Sequence, residues 1–301
     1  MKPFLLINYG DRAHCDDATL RALEKTAREF SPDSEVALSH SLEESQRLVE
    51  RAASEGFDRL IIGGGDGTFN SVLNQTRDLN FVFGILPLGT VNTFARSIGL
   101  TKPPVECLKA LLGAQPVSLP LGEINGIRFG CMAGTGLDAA VCHAITSRRK
   151  KVLGAMGFVL TGIEIAARRR AFPRLTVQIE DTHETLEGYH VILSNISNYG
   201  GITLFDGFEK SRAGTEMILL ARHGFWFLAR ISLSALLKGP ALHQKTPGVH
   251  KRWVRSVRIT ACEPLEVHLD GEPVTLDTPN ELRFTRLEGA LRFLLPAKRN
   301  N

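Results

Sequence analysis

The chain has 301 residues, of which 43% are hydrophobic and 23% charged, with a formal net charge of +4. This is the composition of an ordinary globular protein, its length suits two domains, and no apolar run reaches the roughly 20 residues that span a bilayer. Cys15, Cys107, Cys131, Cys142 and Cys262 are odd in number and show no C-x-x-C spacing, so neither a disulfide framework nor a zinc site is expected.

The amino-terminal apolar run is too short for a signal sequence, which points to the cytoplasm. Residues 4–8 read as a first strand. Asp17 is then placed to cap a helix whose apolar residues Leu20, Leu23, Ala27 and Phe30 recur at helical spacing. Residues 36–39 form a second strand, and Ser41-Leu42-Glu43-Glu44 is a capping box that opens a helix to about Glu55. The third strand, 60–62, runs into Gly63-Gly64-Gly65-Asp66-Gly67-Thr68. Four glycines in five positions are expected to end the strand and to allow positive φ, so that successive amides converge on a phosphate where a helix begins.

Asp66 is the odd member, because a carboxylate in a phosphate cradle repels the ligand unless its charge is offset. Two roles resolve the conflict: holding Mg²⁺, or accepting a proton from an attacking hydroxyl. The bland alternative is a helix cap. The fourth strand, 81–86, enters a second loop, Pro87-Leu88-Gly89-Thr90-Val91-Asn92, where Gly89 and Thr90 offer an amide and a hydroxyl, followed by a helix over 91–98. Strands alternating with helices predict a parallel α/β sheet with ligands at the carboxyl ends of its strands.

After a helix over 105–112 the texture changes near residues 116–120. Short alternating stretches at 122–124, 128–132, 175–180, 189–194, 217–221, 257–261, 265–269, 281–285 and 291–295 predict an antiparallel sandwich. Helices are expected at about 138–147, 153–167 and 225–237. Asp138 reads as a helix cap, and Asp270-Gly271 as a hairpin turn, for which Asp-Gly is a preferred dipeptide. From 217 to 262 there are eight Lys/Arg and no Asp or Glu, and a second basic group spans 148–151 and 168–170. Such faces attract anionic lipid or polyphosphate.

Gly64-Gly65-Asp66-Gly67-Thr68, then Pro87 to Arg96, Gly136-Leu137-Asp138-Ala139, Asn195 with Tyr199-Gly200-Gly201, and Asp270-Gly271-Glu272 follow one another in an order similar to the diacylglycerol kinase catalytic-domain family. That family includes soluble bacterial lipid kinases and is related to sphingosine and ceramide kinases. The resemblance spans nearly the whole chain. It implies an amino-terminal Rossmann-like α/β nucleotide-binding domain at 1–121, to which residues 286–301 return, and a carboxyl-terminal β-sandwich at 122–285 that takes the lipid.

ATP and Mg²⁺ are the implied cofactors. Carried over by position, Asn8, Ser39, Gly63, Gly64, Gly65, Asp66, Gly67, Thr68, Asn70 and Thr90 contact ATP, Asp66 organises the metal, and Glu272 is the proton acceptor, supported by Asp270. A related kinase family leaves open the reverse assignment, with the aspartate of the glycine loop as base. The implied partners are a lipid substrate and the surface of an anionic membrane, with no nucleic acid; a homodimer is left open.

The chain departs from the family in three places. Asn8-Tyr9-Gly10-Asp11 replaces an Asn-Pro-x-Ser-Gly loop, Thr93 replaces an aspartate, and Ala213-Gly214 replaces an Asp-Gly that holds a structural magnesium in some bacterial members. Two rival readings are an NAD kinase, for which the downstream Asn-Glu pair is missing, and a non-catalytic lipid-binding protein.

Overall fold

In the computed structural model the described residues are 2–8, 15–146, 155–167, 171–199, 202–203, 205–206, 214–238 and 246–296. Tyr9, Gly10, Asp11, Gly200, Gly201, Ala213, Lys245 and the cations at 148–151 and 168–170 lie outside them. The chain divides into two compact units, Met1–Pro120 with Glu288–Asn301, and Leu121–Leu287.

The first unit alternates strands and helices: β1 (Pro3–Asn8), α1 (Asp17–Phe30), β2 (Glu35–Ser39), α2 (Leu42–Ser54), β3 (Arg59–Gly64), α3 (Asp66–Gln75), β4 (Val82–Pro87), α4 (Thr93–Ser97) and α5 (Pro104–Leu112). The sheet is parallel in the order β2-β1-β3-β4. Phe4, Leu5, Leu6 and Ile7 of β1 are all fully buried, as a strand covered on both faces requires, which is why it reads as an unbroken apolar run. The order reverses between β1 and β3, where Ile7 pairs with Gly63. A ligand of an open parallel sheet binds outside the strand ends at such a reversal.

Helix starts follow local chemistry. The cap of α1 is Asp16, whose carboxylate accepts from Thr19 N at 2.7 Å; Asp17, the expected cap, is already helical because the extended backbone ends one residue earlier. In α2, Glu44 N donates to Ser41 Oγ at 3.1 Å, while the Glu44 carboxylate accepts from the His40 amide at 2.7 Å, so the box closes one residue further out than its usual form. Under α3 and α4, Phe69 stacks on Phe94 with ring centroids 4.7 Å apart. Phe293 meets both rings edge-on at 6.3 and 5.4 Å, from a strand position that pairs in parallel with Phe83.

The second unit is antiparallel. One sheet joins the hairpin Leu175–Ile179/Glu184–Gly188 to Ser256–Thr260 and then to residues 281–285 of the strand Glu281–Leu295. The other runs Val249–Val254, Thr215–Leu220, His190–Ser194, Met132–Thr135, Val267–Leu269, Glu272–Val274. Val177, Ile179, Val257, Ile259 and Phe284 of the first meet Val191, Leu193, Met217, Leu219, Val267 and Leu269 of the second in one core, which defines a sandwich. Helices Leu137–Ala144, Ala155–Ala167 and Phe225–Lys238 accompany it. Phe227, Leu228 and Ile231 of the last pack on Ile218, Leu220 and Ile192, covering the second sheet's outer face.

Sequence pattern missed several strands, among them Glu184–Gly188 and Val249–Val254. The first presents polar Thr185 and charged Glu187 on its open face, and the second carries basic residues that read as part of an anion-attracting face. Residues 281–285 and 291–295, expected as two strands, are one.

His190 begins a central strand, 2% exposed, and its Nδ1 accepts from Leu137 N at 2.9 Å. Burial first, and His223 second, push its pKa from 6.5 down to about 4. The unfolded chain therefore takes up this proton at a higher pH than the native one. Stability contributed by the neutral ring is complete above pH 6.5 and is lost as pH falls toward 4, by about 3 kcal/mol in all. His190→Asn, which keeps an acceptor near the Nδ1 position, should flatten this part of the stability curve in urea unfolding measured from pH 7 to pH 4.

Candidate active site

The glycine loop is built for close approach rather than for unusual dihedrals. β3 continues through Gly63 and Gly64, contrary to expectation, and none of Gly63, Gly64, Gly65 or Gly67 has positive φ. What the glycines supply is space. A Cβ at Gly63 would stand 2.9 Å from Leu88 Cδ1, one at Gly64 would stand 2.8 Å from the Thr68 side chain, and one at Gly89 would stand 2.5 Å from the Gly65 Cα. The ends of β3 and β4 thus touch backbone to backbone.

Within that contact the second loop closes on itself. Asn92, in the left-handed region at φ 53°, accepts from Gly89 N at 2.9 Å and donates to Gly89 O at 2.7 Å. The Gly89 amide, expected to be offered to a ligand, is therefore occupied and buried. Thr90 beside it is exposed.

Asp66 caps a helix other than its own. Its two carboxylate oxygens accept from Thr93 N at 2.8 Å and Phe94 N at 3.0 Å, at the start of α4. The positive end of that helix is what offsets its charge. The N-cap of α3 is Gly65, which has no side chain to cap it. Asn8 Nδ2 donates to Thr68 Oγ1 at 2.9 Å, linking the end of β1 to that turn. Asn70 lies one turn on, where Asn74 Nδ2 donates to its backbone oxygen at 3.0 Å. Ser39 is 1% exposed, and its hydroxyl is engaged with Ser41 O at 2.8 Å and Ser45 Oγ at 2.7 Å, inside the protein rather than at the loop.

In the second unit, Asp270 and Gly271 form a two-residue hairpin turn with φ of 52° and 83°. Both central residues are left-handed, as in the turn type that Asp-Gly favours. Asp270 also has a tertiary role. Its Oδ2 accepts from Gly130 N at 2.9 Å and its Oδ1 from Cys131 N at 2.7 Å and Met132 N at 2.9 Å, while its own amide donates to Met132 O at 2.8 Å. Asn195 holds the same segment from the other side: its amide donates to Cys131 O at 2.9 Å and its Nδ2 to Gly130 O at 3.3 Å. Glu272 follows this clamped turn and is exposed.

Asp138 does not cap its helix, because the N-cap is Gly136 and makes no side-chain bond. Its carboxylate accepts from His268 Nε2 instead. His268 had no signal of its own beyond falling between Val267 and Leu269, two core residues, which turns it to the opposite face of the strand. The stretch 217–262 is also less bare than its composition implies. Lys251 pairs with Glu216 and Asp206, Arg252 with Glu184, and Arg258 with Glu281, all carboxylates contributed from outside the stretch. Arg222 and Arg230 remain exposed. Among the described residues no three or more His, Cys, Asp or Glu cluster as a metal site.

A parallel α/β unit with a glycine loop at its strand-order reversal, and an antiparallel sandwich carrying an acidic turn, define a nucleotide-type fold with an appended second domain. The profile of the diacylglycerol kinase catalytic domain matches residues 4–124. A probable YegS-like lipid kinase of Pseudomonas fluorescens is 31% identical, covering 97% of this chain and 95% of its own length. Its counterpart in Pseudomonas aeruginosa PAO1 is also 31% identical, covering 97% and 94%. A candidate diacylglycerol kinase from Bacillus anthracis shares the fold, with a TM-score of 0.78 over 98% of this chain and 95% of that one at 19% identity. This chain belongs to the diacylglycerol kinase catalytic-domain family.

Because the Gly65–Gly89 contact is between backbones, no rotamer change relieves an added methyl group. Gly89→Ala should destabilise the first unit by about 1–3 kcal/mol. Gly113→Ala, whose new methyl group would have Lys109 O at an ordinary 3.6 Å, should be neutral or slightly stabilising in the same urea titration.

Proposed function

We propose that this protein is an ATP-dependent lipid kinase that transfers the γ-phosphoryl group to a hydroxyl of diacylglycerol or a related lipid. The observation that carries the reading is the exposed Glu272 carboxylate, standing directly after a turn that four hydrogen bonds of Asp270 tie to residues 130–132, a segment that two more from Asn195 hold on its other side. A general base needs such fixed placement to meet the hydroxyl whose proton it takes. Glu272 takes the proton of the lipid hydroxyl as that oxygen bonds to the γ-phosphorus, and the bond from the γ-phosphorus to the bridging oxygen breaks to release ADP.

The first unit fits the nucleotide. The turn at Gly65, Asp66, Gly67 and Thr68 offers amides and a helix dipole to phosphate oxygens, with Asn8, Asn70 and Thr90 at its margin. Asp66 is the side chain that would hold a Mg²⁺ ion bound with the nucleotide, which would supply positive charge at the phosphoryl oxygens; its two amide bonds fix its position for that task. An NAD kinase reading has less support, since the full-length relatives are described as lipid kinases. Incubating the protein with labelled ATP and a total lipid extract should label a lipid. Glu272→Gln should lower turnover about 10²-fold or more with little change in ATP affinity by calorimetry, whereas near-normal turnover would remove Glu272 from the mechanism.

We also place the protein at an anionic membrane surface through the sandwich's helices. Trp226 is 83% exposed, Ile163 52% and Leu160 38%, and Arg222 and Arg230 stand exposed next to Trp226 in the chain. Aromatic and aliphatic side chains beside cations suit a headgroup interface. No helix among the described residues is long and apolar enough to cross a membrane. Co-sedimentation with phosphatidylglycerol-containing vesicles should exceed that with neutral vesicles, weaken with salt, and fall in Trp226→Ala. Equal binding to both vesicle types would defeat the docking surface.

A further inference from the structure

We infer that Asp138 and His268 act as a positioning pair that sets the conformation of the turn carrying Glu272. The inference rests on the kinase reading for its consequence in catalysis, but the contact itself does not. The His268 side chain is 1% exposed and that of Asp138 11%. His268 Nε2 bonds the Asp138 carboxylate, and on the other side of the ring Nδ1 faces Gly271 N at 3.3 Å. The donors and acceptors assign the tautomer. A backbone N–H can only donate, so Nδ1 must carry the lone pair, and the proton sits on Nε2, where an ionised carboxylate can only accept.

The strand opposite makes room for this pair. His268 is in register with Gly134, and a Cβ at Gly134 would stand 2.4 Å from Asp138 Oδ2 and 2.7 Å from His268 Nε2. Gly271 is at φ 83°, so its amide is aimed by a conformation that other residues rarely adopt. Asp138 therefore selects the tautomer, the tautomer accepts the Gly271 amide, and that amide belongs to the residue immediately before Glu272. Without the carboxylate the ring is free to move its proton to Nδ1, which would then oppose the Gly271 N–H.

The imidazole's two functions separate by substitution, because an Asn side chain ends near the position of Nδ1 and a Gln side chain reaches that of Nε2. His268→Asn keeps the acceptor for Gly271 and gives up the bond to Asp138. It should keep kcat within about threefold of wild type while lowering the unfolding midpoint. His268→Gln keeps the bond to Asp138 and leaves Gly271 N–H without an acceptor. It should hold the midpoint more nearly but lower kcat by about tenfold or more, with KM for ATP little changed. Asp138→Asn, whose oxygen still accepts from Nε2, should resemble wild type in kcat, and Asp138→Ala should resemble His268→Gln.

The readout independent of activity is amide exchange at Gly271, resolved by ¹⁵N NMR. It should accelerate in His268→Gln and Asp138→Ala and stay slow in His268→Asn. If kcat instead tracks the unfolding midpoint across all four variants, or Gly271 exchange is the same in every one, the positioning role is overturned. A wild-type protein that labels no lipid but shows the expected exchange pattern would overturn the kinase reading while leaving the pair as the device that holds the turn.

Discussion

A carboxylate that accepts backbone N–H groups from a loop distant in sequence is the interaction on which the candidate residues of each unit depend. Asp66 takes two amides at the start of α4, and Asp270 takes three from residues 130–132. Hydrogen bonds to an ionised group are about twice as strong as neutral ones, and each contributes roughly 1.5–3 kcal/mol where the alternative is an unsatisfied buried amide. They also solve an electrostatic problem. A carboxylate next to a phosphate-binding turn is tolerable when its charge already faces the positive end of another helix, and the two bonds that supply this also join the loops after β3 and β4.

Glycine makes that joining possible, and its contribution is volume. The residues that look most like a flexible cradle keep φ out of the positive range and are short because neighbours press against them, the Leu88 and Thr68 side chains at Gly63 and Gly64 and the Gly65 backbone at Gly89. Packing of this kind has little play: a loop whose α-carbons touch another loop cannot shift without moving it. Left-handed conformations occur instead at Asn92, Asp270 and Gly271, among others, and each of these three sits at a closed turn rather than at an open loop.

Much of this was legible in the sequence. The apolar run of β1, the Ser41–Glu44 box and the glycines after β3 are local signals, and their structural meaning depends on neighbours a few residues away. Asp270-Gly271 was legible as a turn for the same reason. The tasks of the carboxylates were not, because they are defined by partners 27 to 140 residues distant. His268 and Asp138 illustrate the limit most clearly. A histidine between two core residues and an aspartate in a first helical turn are each unremarkable, and only the sheet register that brings Gly134 opposite His268 makes them a pair. Charge misled in the opposite direction: the acid-free stretch from 217 to 262 meets its counter-charges in Glu184, Asp206, Glu216 and Glu281, none of which it contains.

The strand Glu281–Leu295 leaves the second unit and ends in the first, where Phe293 lies against Phe69 and Phe94. A chain emerging in order from a ribosome therefore cannot finish its first unit first. Residues 1–120 come out with the glycine loop already encoded but with the aromatic floor beneath α3 and α4 open, and they must wait while the whole of the second unit is synthesised and can fold as a continuous segment. Closing a contact between positions 83 and 293 this late carries the entropic cost of a long loop unless the intervening residues have already condensed, so the sandwich acts as a spacer that shortens the search. The arrangement makes completion of the glycine-loop unit a report that the second unit has been made.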